Sequence, residues 1–187
     1  MTRREFEGWT RDEQLAFLIN VYNAETLDLV IQNYPVKSIK EIGSGGKGPW
    51  EEPVVELFGE TITLNALENG IIRKNFKEPK IHFALVCAAM GCPPLSGETY
   101  VAARLDSQLE AQTKKFLADT EKNSVDRINK TIRLSPIFEW YAADFESGAG
   151  SVPGFLKEYY GDITNGQYII VYTDYDWSLN DISSEAK

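Results

Sequence analysis

From Leu15 to Ile31, apolar residues fall on nearly every side of a helical wheel: Leu15, Ala16, Phe17, Leu18, Ile19, Val21, Tyr22, Ala24, Leu27, Leu29, Val30 and Ile31. A helix of that kind is buried, and the rest of the chain has to be built around it. Thr10 with Glu13 three residues on is a capping-box start, and Pro35 marks the stop. Asn20 and Asn23 sit inside the run, one turn apart on the same face. A buried carboxamide must be hydrogen-bonded. The pair therefore either holds a neighbouring loop or strand, or faces a ligand.

The other segments read as shorter elements. Val54–Leu57 and Glu60–Thr63 predict a hairpin about Phe58-Gly59, and a helix follows from about Leu64 to Lys74, carrying Glu68 and Arg73. The bland reading of those two charges is a solvated helix face with local ion pairing. Ile81 to Cys87 is short and apolar and predicts a buried strand, with a helix as the alternative. A long amphipathic helix is expected from Glu98 or Thr99, with Leu105, Leu109, Gln112, Thr113, Phe116 and Leu117 along its stripe. A second hairpin, Val125–Arg127 with Thr131–Leu134, turns at Asn129-Lys130. Ser135-Pro136 opens a helix with Trp140, Tyr141 and Phe145, and Ser151-Val152-Pro153 opens another. Tyr168–Tyr172 reads as a late strand, and residues 181–187 as a frayed tail. Helices and hairpins mix without a regular strand-helix alternation. That predicts a single α+β domain: a buried central helix and further helices packed on a small, mainly antiparallel sheet.

Charge and motifs narrow the partners. Formal net charge is −9, and the one compact basic cluster, Lys114-Lys115, lies among acidic residues. A nucleic-acid partner, which wants a basic stripe, is a poor fit. No run reaches the roughly 18 apolar residues of a membrane span, and Met1–Trp9 has no apolar signal core. Gly43-Ser44-Gly45-Gly46-Lys47-Gly48-Pro49 resembles a phosphate loop only superficially, since it lacks the Gly-Lys-Ser/Thr ending and does not lead straight into a helix. Asp174–Asp181 is acidic but lacks the loop glycine and distal glutamate of a calcium loop. No cofactor and no metal is expected. Two cysteines and one histidine would need an outside fourth ligand for zinc. The remaining partners are a protein, a small molecule or a polymer.

Thiol and imidazole chemistry is confined to Lys80–Leu95, which holds His82, Cys87 and Cys92, the only histidine and both cysteines. A cysteine nucleophile needs thiolate character and a base. An enzyme of this kind would use Cys92 or Cys87 as nucleophile and His82 as base. Glu68, Asp174 or Asp176 would orient the ring, with Asn20, Asn23 and Arg73 lining the pocket. Spacing weighs partly against it. On a strand, His82 and Cys87 would lie roughly 16 Å apart with side chains on opposite faces. A helix brings that to a rise of about 7.5 Å. Cys92, beyond the Gly91 corner, can return toward His82. Two further readings stand beside this one: Cys87 as a small buried hydrophobe with His82 a satisfied core residue, and a Cys87–Cys92 disulfide or redox pair. The function classes are thus a thiol-dependent hydrolase or acyl transferase, or a non-catalytic module that binds a protein or polymer.

Several stretches, taken together, resemble one family. They are Gln14–Ala24, Tyr34-Pro35-Val36-Lys37-Ser38-Ile39, Ile81–Ala88, Gly91-Cys92-Pro93-Pro94-Leu95 and Asp174-Tyr175-Asp176-Trp177-Ser178-Leu179-Asn180. In that order and spacing the chain resembles the domain of unknown function 547 family (DUF547), over about Trp9 to Asn180. The resemblance implies no particular reaction. Members occur in bacteria, often exported, and in plants and animals fused to other modules, so compartment stays open. They usually carry a further N-terminal segment before the first buried helix, and here Met1 falls only a few residues upstream of it.

Overall fold

The long helix starts where its cap predicts. In a computed structural model describing residues 1–163 and 168–181, the Thr10 side chain accepts from Glu13 N–H and the Glu13 carboxylate accepts from Thr10 N–H at 2.8 Å. The two groups satisfy donors that a helix start leaves orphaned. This helix, α2 (Arg11–Asn33), follows a short α1 (Arg3–Glu7). It ends as Tyr34, placed before proline, swings to an extended conformation. Leu18, Ile19, Tyr22 and Thr26 are buried, but the last turns surface, with Ile31 69% exposed. The helix is thus buried along most of its length rather than on every side.

A hairpin pairs β1 (Pro53–Leu57) with β2 (Glu60–Thr63). Phe58 and Gly59 both take positive φ at its turn, which matches the right-handed twist of the two strands. A π-helix, Ala66–Ile72, then runs into α3 (Arg73–Phe76). The amphipathic helix α4 spans Leu105–Leu117. The second hairpin joins β3 (Ser124–Asp126) to β4 (Thr131–Leu134). Next come α5 (Ile137–Trp140), α6 (Ala142–Ala149) and α7 (Val152–Tyr160). Strand β5 (Ile169–Tyr172) pairs with β4 in parallel, so the second sheet has the order β3-β4-β5 and mixed direction. The fold is α+β, with antiparallel hairpins and one parallel pairing. From residue 182 on, the expected tail lies outside the described residues.

Two expectations about local structure are corrected. Ile81–Cys87 is not a strand: a 3-10 helix covers Pro79–Phe83 and the chain then turns irregularly to Cys92. Asn23 explains how this is tolerated. Its Nδ2 donates to Ala84 O at 2.9 Å, and its Oδ1 accepts from Val86 N–H at 3.0 Å. One buried amide thus satisfies backbone groups that a neighbouring strand would otherwise have to meet. The helix α4 also starts later than Glu98. Gln108 holds residues 99–101 extended by accepting from Val101 N–H at 2.9 Å and donating to Thr99 O at 2.8 Å.

Asn20 makes the matching clamp on Tyr100, donating to its carbonyl at 2.8 Å and accepting from its N–H at 2.9 Å. Two large apolar cores result, beside a small cluster of Val86, Ala89 and Cys92. One surrounds α2 and includes Ile81, Ala84 and Leu85; the other is a phenylalanine cluster of Phe83, Phe116, Phe138, Phe145 and Phe155. The 81–92 stretch is the seam between them. The C-terminal stretch closes over this seam. Ala89 bridges Leu179, Met90 N–H donates to Ser178 O and Gly91 N–H to Asp176 O. A Cβ on Gly91 would stand 3.0 Å from the Tyr175 ring, so glycine permits the close approach.

Replacing Asn23 by Ala leaves Ala84 O and Val86 N–H buried without partners. Chemical denaturation is expected to show a loss of about 2–3 kcal/mol. A loss under about 0.5 kcal/mol, the range of ordinary surface substitutions, would mean that the clamp does not hold the seam.

Candidate functional site

A cavity of about 470 Å³ opens where the π-helix, the 81–92 stretch, α5 and the C-terminal stretch meet. Its size suits a small-molecule site. His82, Cys87, Cys92, Glu68 and Arg73 all line it. Asn20 and Asn23 do not. They are occupied in the backbone clamps described above. Asp174 and Asp176 are not among the lining residues either, and Asp176 instead accepts from Ser178 N–H and Oγ.

His82 is buried on the 3-10 helix and stacks on Tyr141, with ring centroids 3.8 Å apart and planes at 20°. Its Nε2 lies 2.8 Å from Asp144 Oδ2. Burial pushes the imidazole pKa down and outweighs the upward pull of the Asp144 bond. The ring is therefore neutral near pH 7, and the Asp144 bond assigns the proton to Nε2. Nδ1 is left as the unprotonated nitrogen, and among the described residues it has no protein hydrogen bond. Asp144 is held far below the usual carboxylate range, first by the His82 hydrogen bond and then by Arg73, whose Nε lies 2.6 Å away. The guanidinium also sits over the Tyr141 ring at 4.8 Å and donates to Asn69.

Asp144 is the residue the sequence reading missed. Its one signal is a lone charge inside the apolar run Trp140-Tyr141-Ala142-Ala143-Asp144-Phe145, three residues after Tyr141 and so on the same helix face. Glu68 has a different environment from an orienting acid. It is buried on the π-helix, a helix form frequent at functional sites, and accepts from Tyr22 Oη and Tyr141 Oη, each at 2.8 Å. Trp50 Nε1 donates to Tyr22 Oη at 3.2 Å, extending the chain of bonds.

The two sulfurs differ. Both are free thiols. Cys87 is part-exposed on the cavity wall, and Tyr175 Oη lies 3.0 Å from its Sγ. Its pKa is lowered, chiefly by a hydrogen bond from the Cys92 thiol, with further help from the Tyr175 hydroxyl and Ala89 N–H, against burial. Cys92 is buried, and that burial together with the neighbouring Cys87 pushes its pKa well up. Cys92 Sγ accepts from Cys87 N–H at 2.8 Å. Ala88, next to Cys87, holds a positive φ of 55°. A non-glycine residue there carries backbone strain, of a kind that clusters at functional sites.

A pH dependence of stability follows. His82, the sole histidine, has a folded pKa below its ordinary 6.5, so below that pH the unfolded chain binds a proton that the folded chain refuses. The contribution is present above 6.5 and lost as pH falls through the folded value. Asp144, also depressed, adds a second loss below its ordinary 3.8. Urea unfolding from pH 7.5 to 5 should show stability falling with acid, and His82→Gln should flatten that limb. An unsloped wild-type curve over this window contradicts a neutral buried imidazole.

Neither the curated proteins nor the solved structures include a match to this chain. A family model does match, over residues 6–117, which covers α2, the π-helix, His82 and both cysteines. Tyr141, Asp144, Tyr175 and Trp177 come from beyond the matched segment. With more than half of its length matched, the chain belongs to the family described as Protein of unknown function, DUF547.

Proposed function

We propose that this cavity is the site of a thiol-dependent hydrolase or acyl transferase, with Cys87 as nucleophile and His82 as base. The supporting observation is that an acidified, part-exposed sulfur and a neutral imidazole backed by a carboxylate line one cavity. Cys92 is the poorer nucleophile, being buried with a raised pKa. In this reading Asp144, 2.8 Å from His82 Nε2, takes the part of orienting the ring and stabilising the imidazolium in place of Glu68.

In the reaction, the Cys87 sulfur attacks the carbonyl carbon of an acyl compound and its proton passes to His82 Nδ1. The tetrahedral adduct collapses to a thioester as the leaving group takes that proton. Water or an acceptor nucleophile, deprotonated by the same nitrogen, then attacks the thioester, and the thiol is restored. Tyr175 stabilises the thiolate as it forms, through its hydroxyl. Arg73 holds Asp144 ionised throughout.

One observation favours the second reading, a binding module without catalysis. His82 Nε2 bonds Asp144 and Cys87 Sγ bonds Tyr175, and among the described residues neither bonds the other. Catalytic hydrogen bonds often tighten only when substrate is bound, so reactivity separates the two readings.

Native protein treated with p-nitrophenyl acetate should gain one acetyl group on the peptide carrying Cys87, read by mass spectrometry. Cys87→Ser should abolish this, and His82→Ala should slow deacylation by about a hundredfold, the low end for a general base. Iodoacetamide should label Cys87 with a pH midpoint below the ordinary thiol value of 9.0, and Tyr175→Phe should raise it. If both cysteines stay inert until the protein unfolds, the binding module is the correct reading.

A further inference from the structure

The opening of the cavity differs in character from its floor. Trp50, Trp140 and Trp177 line it as one contiguous aromatic wall. Trp50 meets Trp177 edge-on, with centroids 5.8 Å apart at 76°, and Trp140 stacks on Trp177 at 5.9 Å and 23°. Trp140 is 47% exposed. Beside them Glu51, on the cavity lining and exposed, forms no ion pair among the described residues.

The charges of the site point the same way. Among the lining residues, Glu51 and Glu68 set two carboxylates against one cation, Arg73. Arg73 is bonded to Asp144. Lys40 Nζ rests 3.7 Å from the centroid of the Trp177 ring, so a cation already sits on one ring of this wall. An aromatic face carries negative potential and attracts ammonium or guanidinium groups, tryptophan most of all. A cleft with excess negative charge concentrates such cations. A neutral sugar or hydrocarbon gains from the rings alone and nothing from Glu51. An anion is opposed by both.

We propose that the cavity binds an organic cation, an alkylammonium or guanidinium group, against Trp50 and Trp140 with Glu51 as its counter-ion. Resting on the thiol reading above, this makes the substrate an acyl compound that carries such a cation within reach of Cys87. The placement divides the work of the site. The inner wall carries the nucleophile and base, with Asp144 bonded to the imidazole, and the mouth recognises a positive charge on the same molecule.

The test compares choline with 3,3-dimethylbutan-1-ol, which has the same shape without the charge. Binding is read by tryptophan fluorescence on the intact protein. Choline is expected to bind about tenfold more tightly, as a desolvated cation–aromatic contact with a counter-ion allows, and its affinity should fall with salt. Both Glu51→Gln and Trp140→Leu, at exposed positions that do not threaten folding, should lose most of that preference. n-Butylammonium and n-butylguanidinium then show which cation is preferred. Equal binding of choline and its neutral isostere overturns the proposal, as does a choline affinity unchanged in both variants. Failure of the thiol reading is separately visible. If Cys87 resists acetylation while choline binds as expected, the cation site stands and the nucleophile does not. If Cys87 is acetylated while choline shows no advantage, cation recognition alone is wrong.

Discussion

A single buried carboxamide, Asn23, sets the geometry on which the rest depends. It lies on the longest helix and meets both a carbonyl and an N–H of the 84–86 stretch. A sheet neighbour would have satisfied those groups repeatedly along a strand. One side chain satisfies them once, at a point, and leaves the chain free to turn immediately on either side. That freedom lets His82 face one way from a 3-10 helix and Cys87 emerge on the cavity wall five residues later. Had the stretch formed the regular strand its composition allows, the two would lie on opposite faces. The cavity chemistry therefore rests on an irregular backbone, and that irregularity depends on Asn23.

A second constraint acts from the opposite wall. Among the described residues Glu68 is a buried carboxylate without a directly paired cation, a costly arrangement unless hydrogen bonds replace lost water. Two tyrosine hydroxyls do this from different elements, Tyr22 on α2 and Tyr141 beside α5. Their own ionisation is pushed up, first by burial and then by the Glu68 charge, so both remain donors. Tyr141 also carries His82 on its face and Arg73 on its ring. One residue thus connects the buried acid to the imidazole and its carboxylate. Loss of either tyrosine hydroxyl leaves Glu68 with one hydrogen-bond donor fewer to offset its desolvation cost.

Much of this could be read from the chain, and the unread part has identifiable causes. The long helix, its cap, both hairpin turns and the late strand follow from local signals: Thr10 with Glu13, Phe58-Gly59, Asn129-Lys130, and the β-branched run at 169–171. The concentration of chemistry in 80–95 follows from counting, because His82, Cys87 and Cys92 have no duplicates. Two things were not local. The 81–87 run is apolar throughout, and periodicity cannot separate a buried strand from a buried turn. Its conformation is decided by Asn23, about sixty residues away. Asp144 was equally hidden. A lone charge in an apolar run is its one signal, and its bonds to His82 and Arg73 appear only in the folded chain. Glu68, Asp174 and Asp176 were the acids weighed as orienters, because their stretches looked distinctive. The carboxylate that bonds His82 lies instead on α6.

The contrast between the two sulfurs shows how one short loop makes unlike groups from identical side chains. Cys92 is enclosed and keeps its proton, and that proton is then available to hydrogen-bond the neighbouring sulfur. Cys87 receives it, together with the Tyr175 hydroxyl and the Ala89 N–H, the latter brought round by the left-handed turn at Ala88. Hydrogen bonding to a sulfur favours its charged form even under partial burial, and the Cys87 pKa is lowered. The acidity of Cys87 is in this sense produced by the burial of Cys92, and a substitution at position 92 would be felt at position 87 without touching it. Tyr175 reaches the sulfur where the C-terminal stretch crosses Gly91 so closely that a Cβ there would stand 3.0 Å from its ring. The C-terminal stretch beyond the family match thus supplies part of the cavity wall, and the thiol within the match is contacted by a residue outside it.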